Sequence, residues 1–300
     1  MKIVVCLKEV VDSTADLALG KVSDALFQKG LIYQVNPADR QAMAEALAVK
    51  TQGQSVEITV VSVGPRQVEE YLREALAMGA DSAWRIWDAD FINLDSLSKA
   101  RLLAAAISLI GPDLVLTGVR SLDNASGQVG PALAALLNLP CVCQTTGFQV
   151  ESDQKNVTVT RNAGRGIRER LLCSLPAVLT VEASLKDAPY PSMEKLVASQ
   201  SAVIRQVDPV DLGIAPVQLK NRVYSIKGPV FPRPRVKKVV APDSSLPAFY
   251  RIPALLQGGI AKRRGRLLQG SQQEMIDQMF DLLVQEKILK IAPGRQEKAE

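Results

Sequence analysis

With 300 residues, 47% of them apolar, the chain can bury one large core, and it carries a formal net charge of +5 with no histidine. The lack of histidine excludes a Ser-His-Asp triad, an imidazole base and a histidine metal ligand. The basic excess falls late, in RPRVKK (233–238) and KRRGR (262–266), without interleaved aromatics, which argues for a solvated or partner-facing surface and against nucleic acid.

The first predicted strand is IVVCL (3–7). A polar loop follows, and then NPADRQAMAEALAVK (36–50) predicts a helix with Asn36 as N-cap and Pro37 at the first helical position. VEITVVSVG (56–64) reads as a fully buried strand. Pro65 opens a helix with Val68, Leu72, Ala75 and Leu76 on one face and Gly79 as its cap. SAWRIW (82–87), an Ala/Leu-rich helix (97–110), the strand DLVLTG and the helix ALAALLNL continue the alternation, which predicts βαβ units and a mostly parallel sheet. After Pro140 the segments TTGFQVE, NVTVTRN, IRERLLCSL and AVLTVEA, with a turn at Gly164 and Gly166, predict antiparallel hairpins completing one domain, 1–184.

Between DLVLTG and ALAALLNL stands a loop of small, polar and glycyl residues. The first N–H groups of a helix lack intrahelical partners and the helix dipole favours an anion there, so this is where an α/β protein holds a phosphate. Asp123, Asn124, Ser126 and Gln128 supply side-chain donors and acceptors, while Gly127 and Gly130 permit close approach. The same pattern also fits an ordinary loop rich in turn formers.

Cys6 and Cys173 lie in apolar strand-like runs. Cys141 and Cys143, two apart, share a strand face but lack CxxC spacing, so four buried, reduced thiols are expected, with no metal site and no catalytic side chain. Any redox role then falls to an organic cofactor. No apolar run reaches the ~20 residues of a membrane span, and MKIVVCLKEV enters a strand without a signal-peptide pattern, so the expected location is cytoplasmic. From 207 to 262 prolines recur (209, 216, 229, 232, 234, 242, 247, 253), as in a linker that wraps over another surface, and EMIDQMFDLLVQEKIL (274–289) predicts a closing amphipathic helix. Such an arm, 207–300, is a docking device.

Several motifs in order resemble the β subunit of electron transfer flavoproteins: KIVVCLKEVVD, VNPADRQAMAEAL, VSVGP, REALAMGAD, DLVLTG followed by GQVGPALAALLNLP, and LPAVLTVEASLKDAPYPSM. The resemblance covers roughly residues 1–215. It implies a doubly wound, Rossmann-like α/β fold binding an adenine nucleotide at the carboxyl ends of its strands, and an α subunit carrying FAD at the heterodimer interface. It also implies exchange of electrons with flavin dehydrogenases such as those acting on acyl-CoA; the Pro-rich stretch 228–255 is longer than the arm of simpler members, and the arm is expected to wrap the α subunit or tether a larger complex. By matching motifs, the nucleotide pocket comprises Cys6, Asn36, Val63 and the 120–131 loop, with Asp123, Asn124, Ser126, Gly127, Gln128, Val129, Gly130 and Pro131. Segment 185–206 resembles the family's partner-recognition loop, with Met193 as an apolar anchor stiffened by Tyr190 and its flanking prolines.

Family members hold either AMP or a second FAD in this subunit, the latter in electron-bifurcating complexes. Gln128-Val129-Gly130-Pro131 resembles the second group, whereas Ala125 stands where the family usually has an acid, and Val119-Arg120 departs from its usual loop beginning. Two rival classes remain. One is an ATP-using enzyme of the adenine-nucleotide hydrolase type, which normally needs a Gly-rich loop after strand one where this chain reads KEVVDSTAD. The other is an interaction subunit whose nucleotide pocket has decayed.

Overall fold

A computed structural model describes residues 1–15, 31–51, 55–88, 91, 94–183, 189–214, 244–256, 267–286 and 288–289. The chain divides into two compact units, 1–231 and 232–300. In the first unit β1 (Lys2–Cys6) is a β-branched run with Ile3, Val4 and Val5 fully buried. β2 (Glu9–Val11) and β3 (Tyr33–Val35) pair antiparallel in a small separate sheet, where the sequence predicts a polar loop. Three-residue strands are too short for their alternation to register.

α1 (Pro37–Thr51), β4 (Glu57–Val63), α2 (Glu69–Met78), β5 (Ser82–Ile86), α3 (Ser96–Ile110) and β6 (Leu114–Gly118) follow in the predicted alternation. α4 (Val129–Leu137) starts inside the loop segment, so Gly130 is helical. Then come β7 (Cys141–Val150), β8 (Asn156–Gly164), β9 (Ile167–Ser174), β10 (Ala177–Val181), α5 (Met193–Gln200) and β11 (Arg205–Val207).

Among the described residues one nine-stranded sheet runs β11-β5-β4-β1-β6-β10-β7-β8-β9. The chain leaves β1 towards β4 and β5, then α3 returns it to β6 on the other side of β1. That reversal makes the crevice beyond the carboxyl ends of β1 and β6 a topological switch point, where ligands of open α/β sheets sit. Ala42, Met43, Leu72 and Ala75 from α1 and α2 join one apolar cluster, and Leu102, Leu103, Ala106 and Leu133 from α3 and α4 join the other. Helices therefore cover both faces, and the fold is a doubly wound, mostly parallel α/β sheet of Rossmann-like type.

β7, β8 and β9 form the expected antiparallel meander, but AVLTVEA does not belong to it. As β10 it inserts parallel between β6 and β7 with Ala177, Val178 and Leu179 fully buried, which explains its uninterrupted apolar run. β11 lies beyond residue 184 and adds a parallel edge strand beside β5. The cysteines are free, but not all buried: Cys6 and Cys173 are, whereas Cys141 and Cys143 are half-buried with their sulfurs 3.7 Å apart on one strand face. Burial and the neighbouring Cys143 sulfur push the Cys141 thiol up to about 12. Among the described residues no helix is long and apolar enough to cross a membrane.

In the second unit α6 (Ala248–Leu256) occupies a stretch predicted as linker and contains Pro253, and α7 (Gln272–Gln285) starts with a Ser271–Glu274 capping box. Phe249, Tyr250, Ile252, Ile276, Met279 and Phe280 are exposed. The remainder of the predicted linker, 215–243 and 257–262, lies outside the described residues.

Segment 189–200 is not a loop throughout: α5 starts at Met193, and the Ser192 hydroxyl accepts the Lys195 N–H. At its other end Arg73 Nη1 donates to the carbonyls of Ser199, Gln200 and Ala202 at 3.0, 2.9 and 2.8 Å. Ser199 and Gln200 carry the last carbonyls of the helix and Ala202 lies just beyond it, where a cation is favoured. Glu69 backs the clamp, 3.8 Å from Arg73 and 2.9 Å from the buried Arg85. Arg73→Ala is therefore expected to accelerate amide exchange across 193–202 by about tenfold or more, corresponding to about 1.5–3 kcal/mol for lost charge-assisted bonds, with exchange in β1 and β6 unchanged.

Candidate functional site

At the switch point lies a cavity of about 110 Å³. Cys6 at the end of β1 and Val63 at the end of β4 line it, as do Asn36, Asn124, Ser126, Gly127, Gln128 and Val129. The structure thus gathers segments predicted from four separate parts of the chain. Asp123, Gly130 and Pro131 do not line the cavity. Asp123 binds Lys8 Nζ through Oδ1 and Oδ2 at 2.6 and 2.5 Å, and Lys8 holds the Asp123 carboxyl below the usual range against the pull of burial. Gly130 packs against the sheet: a Cβ there would overlap the Thr180 methyl and lie 2.8 Å from Thr117 Oγ1. Pro131 is exposed in the first turn of α4.

Asn36 begins α1 with its carbonyl, as predicted, while its side chain serves the loop and the Asp39 carboxyl. Nδ2 donates to the Arg120 carbonyl at 3.0 Å, and Oδ1 accepts the Leu122 N–H at 3.2 Å. One amide thus holds two points of the loop's entry, two residues apart. Cys6 is buried, with its thiol held in the neutral form by burial and by the nearby Asp39 carboxyl. It is a wall and not a nucleophile.

The residues that sequence reasoning missed carry most of the charge. Lys8, Asp39, Ser96, Lys99 and Thr117 also line the cavity, beside Arg120 from the predicted loop. Asp39 is buried; Oδ1 accepts the Gly118 N–H at 2.8 Å and Oδ2 the Lys8 N–H at 2.9 Å. Burial pushes its carboxyl up to about 7, against the lowering effect of these bonds and of Asn36. Its position in the first turn of a helix opening Asn-Pro-Ala-Asp was the available signal. Lys99 was hidden because a single cation one turn into an Ala/Leu-rich helix reads as solvated surface.

Ser96 at the start of α3 and Ser126 in the loop meet Oγ to Oγ at 3.1 Å, so the N-termini of α3 and α4 converge on the cavity. Thr117 Oγ1 is buried and has no hydrogen-bond partner among the described residues, although buried hydroxyls normally find one. A cavity with two positive helix ends, a cationic wall and an unpartnered hydroxyl fits a phosphorylated ligand such as the nucleotide portion of AMP or FAD. Cys6, Val63 and Leu103 give it an apolar side for a base. A wider cleft of about 630 Å³, lined by Cys143, Gln144, Thr180 and Glu182, shares Asn36, Val119, Arg120 and Gly127 with it. Among the described residues no cluster of side chains could hold a metal ion.

Asp39→Asn keeps only one carbonyl oxygen for two backbone N–H donors, so we expect a loss of about 1–3 kcal/mol. Because the folded carboxyl titrates above its unfolded value, its contribution is fully present below about pH 4 and is lost as pH rises towards about 7. The difference between wild type and Asp39→Asn, measured by urea unfolding from pH 4 to 8, should shrink with rising pH in that window. A difference independent of pH would mean that the carboxyl is ionised throughout.

An electron transfer flavoprotein domain matches residues 28–212. The chain is 33% identical over 229 residues to an electron transfer flavoprotein subunit beta of Clostridium acetobutylicum, covering 76% of this chain and 86% of that protein. It is 27% identical over 296 residues to the corresponding subunit of Megasphaera elsdenii, covering 96% and 100% of the two chains. It is also 32% identical over 217 residues to the caffeyl-CoA reductase-Etf complex subunit CarD of Acetobacterium woodii, covering 72% and 81%.

Proposed function

The chain belongs to the electron transfer flavoprotein family as a β-type subunit, and from that premise we propose that it is an electron carrier component that holds an adenine nucleotide at the β1/β6 switch point. Family membership of this kind implies an α subunit as partner and a flavin as the redox group. Bound flavin supplies the electron-transfer chemistry that a chain without histidine, metal cluster or activated thiol among its described residues does not. This chain's own residues bind, orient and shield: Asn36 fixes the loop, Asp39 ties the ends of β1 and β6 to α1, the helix ends face the phosphate, and Cys6 and Val63 wall the base.

The convergence of the α3 and α4 N-termini on one cavity carries this reading. An unpartnered Thr117 hydroxyl argues against a decayed pocket, in which apolar packing would have replaced it. The ligand is FAD or AMP, and the Gln128-Val129-Gly130-Pro131 loop end, which resembles that of the FAD-holding members, favours FAD and a bifurcating role. Co-expression with the α subunit, acid release and chromatography decide between them. Two FAD per heterodimer place a flavin here, one FAD with one AMP gives a simple carrier, and one FAD with no further nucleotide refutes the site.

The α5 region is the docking face for a flavin dehydrogenase, of the acyl-CoA dehydrogenase type. Tyr190, just before α5, and Met193 and Val197 on it are 86%, 75% and 65% exposed, and the helix is braced at both ends. The Arg40 guanidinium lies 5.9 Å from the Tyr190 ring centre. The arm beyond 207, with the apolar side chains of α6 and α7 outward, docks on the α subunit. Met193→Ala should leave nucleotide content intact and lower the second-order rate of electron transfer with the dehydrogenase about fivefold or more. Unchanged rapid-mixing kinetics would remove the anchor role.

A further inference from the structure

Lys99 stands out among the cavity's charged groups. Its half-buried ammonium makes no hydrogen bond or ion pair among the described residues, while the charges around it are already committed. Lys8 is held by both oxygens of Asp123 and by Ser121 Oγ at 3.3 Å. Asp39 is held by two backbone N–H groups. Asp95 is spent on the N-cap of α3, accepting the Ser98 N–H at 2.7 Å.

A cation withdrawn from water without a partner costs free energy, and proteins retain one chiefly where an anion comes to it. Burial and the charge of Lys8 pull its ammonium below the usual lysine range, and Asp123 and Asp95 act on it only through space. The surroundings point the same way. Lys99 lies one turn into α3, whose first residue bridges to Ser126 at the threshold of α4, so the cation sits between two helix N-termini. Thr117 Oγ1, buried and unpartnered, lines the same cavity. The loop offers no second acid to neutralise the site, since Ala125 follows Asp123 and Asn124.

We propose that Lys99 is the side chain that pairs the phosphate of the bound nucleotide, making the site discriminate phosphorylated ligands from the bare nucleoside. This rests on the reading that the cavity takes an adenine nucleotide, and it adds a specificity-determining cation to that reading. The ammonium donates to non-bridging phosphate oxygens while the first N–H groups of α4 meet the same group from the other side. The base and ribose rest on walls that Lys99 does not form. A diphosphate brings more charge to the same cation and is held more tightly than a monophosphate.

The test uses the full chain co-purified with its α subunit, exchanged free of resident nucleotide in this site, and titrated calorimetrically with adenosine, AMP and ADP. Lys99→Met is expected to weaken AMP and ADP about tenfold or more, as for a lost charge-assisted hydrogen bond, and to leave adenosine within about twofold. Lys99→Arg, which keeps the charge, should retain AMP within about threefold. In the nucleotide-free complex Lys99→Met should raise the unfolding midpoint, since a desolvated charge is removed, whereas a lysine that serves only structure would lower it.

AMP binding by Lys99→Met equal to wild type, or equal losses for AMP and adenosine, overturns the role of Lys99 and leaves the nucleotide site standing. Wild-type complex that takes up neither adenosine nor AMP overturns the nucleotide reading and Lys99 with it.

Discussion

The Asp39 carboxyl accepts the Lys8 and Gly118 N–H groups, and through these two bonds the end of β1, the first turn of α1 and the end of β6 become one knot. The β1–β6 ladder ends at the Val5–Leu116 pair, short of Lys8 and Gly118 where the two strands open into the crevice. Here a side chain from the covering helix ties them together. The junction tolerates no substituent at Gly118, whose Cβ would overlap Asp39 Oδ1 and come within 2.9 Å of the Ala38 methyl. A glycine at the end of β6 is therefore required by the approach of α1. Asn36, three residues before Asp39, uses the same helix start to hold Arg120 and Leu122, so the loop inherits its position from α1.

That anchoring lets the loop adopt backbone geometry it would not choose alone. Ala125 has φ +48 and Gly127 φ +61. Glycine enters that region freely, but an alanine there costs on the order of 1 kcal/mol. The Ala125 N–H donates to the Ser121 carbonyl at 2.9 Å, closing the turn, and the Lys8–Asp123 pair fastens its outer side. The ion pair is about two-thirds withdrawn from water, so it serves to place the loop more than to add stability. Placement is what the cavity needs, because Ser126, Gly127 and Gln128 follow directly.

Much of this fold was legible in the sequence because its devices are local. Pro37 and Gly79 at helix ends, the Ala/Leu stripes of α1 and α3, and the apolar runs of β1, β4 and β6 each announce themselves within one segment. The order of the sheet is not local, which is why the β10 run AVLTV could be read as part of a meander when it is a central parallel strand. Apolar composition on both faces was the clue, and it outweighs adjacency to three antiparallel strands. The site divides the same way. Polar and glycyl residues of the loop could be found from their pattern, and Cys6, Asn36 and Val63 only from motif resemblance. Lys99 and Thr117 become meaningful only when α3 and β6 bring them to one cavity, since neither lies in a segment that looks like a site.

An electron carrier must meet partners repeatedly and let each go, and weak encounters of this kind bury little surface, below about 1,200 Å² in total. With so small a contact, affinity depends on a few anchors and on how little order is lost in presenting them. α5 has the matching construction. Its apolar side chains face outward, yet its carbonyl end is clamped by Arg73 from α2, whose Leu72 and Ala75 are buried in the core. Glu69 in turn links that arginine to Arg85 on β5, the strand beside β11. The exposed helix is thus stiffened by the sheet it stands on, and the flexibility of Met193 is confined to a side chain that can fit more than one pocket. The same sheet carries the cavity at the carboxyl ends of β1 and β6, so both surfaces take their geometry from one core.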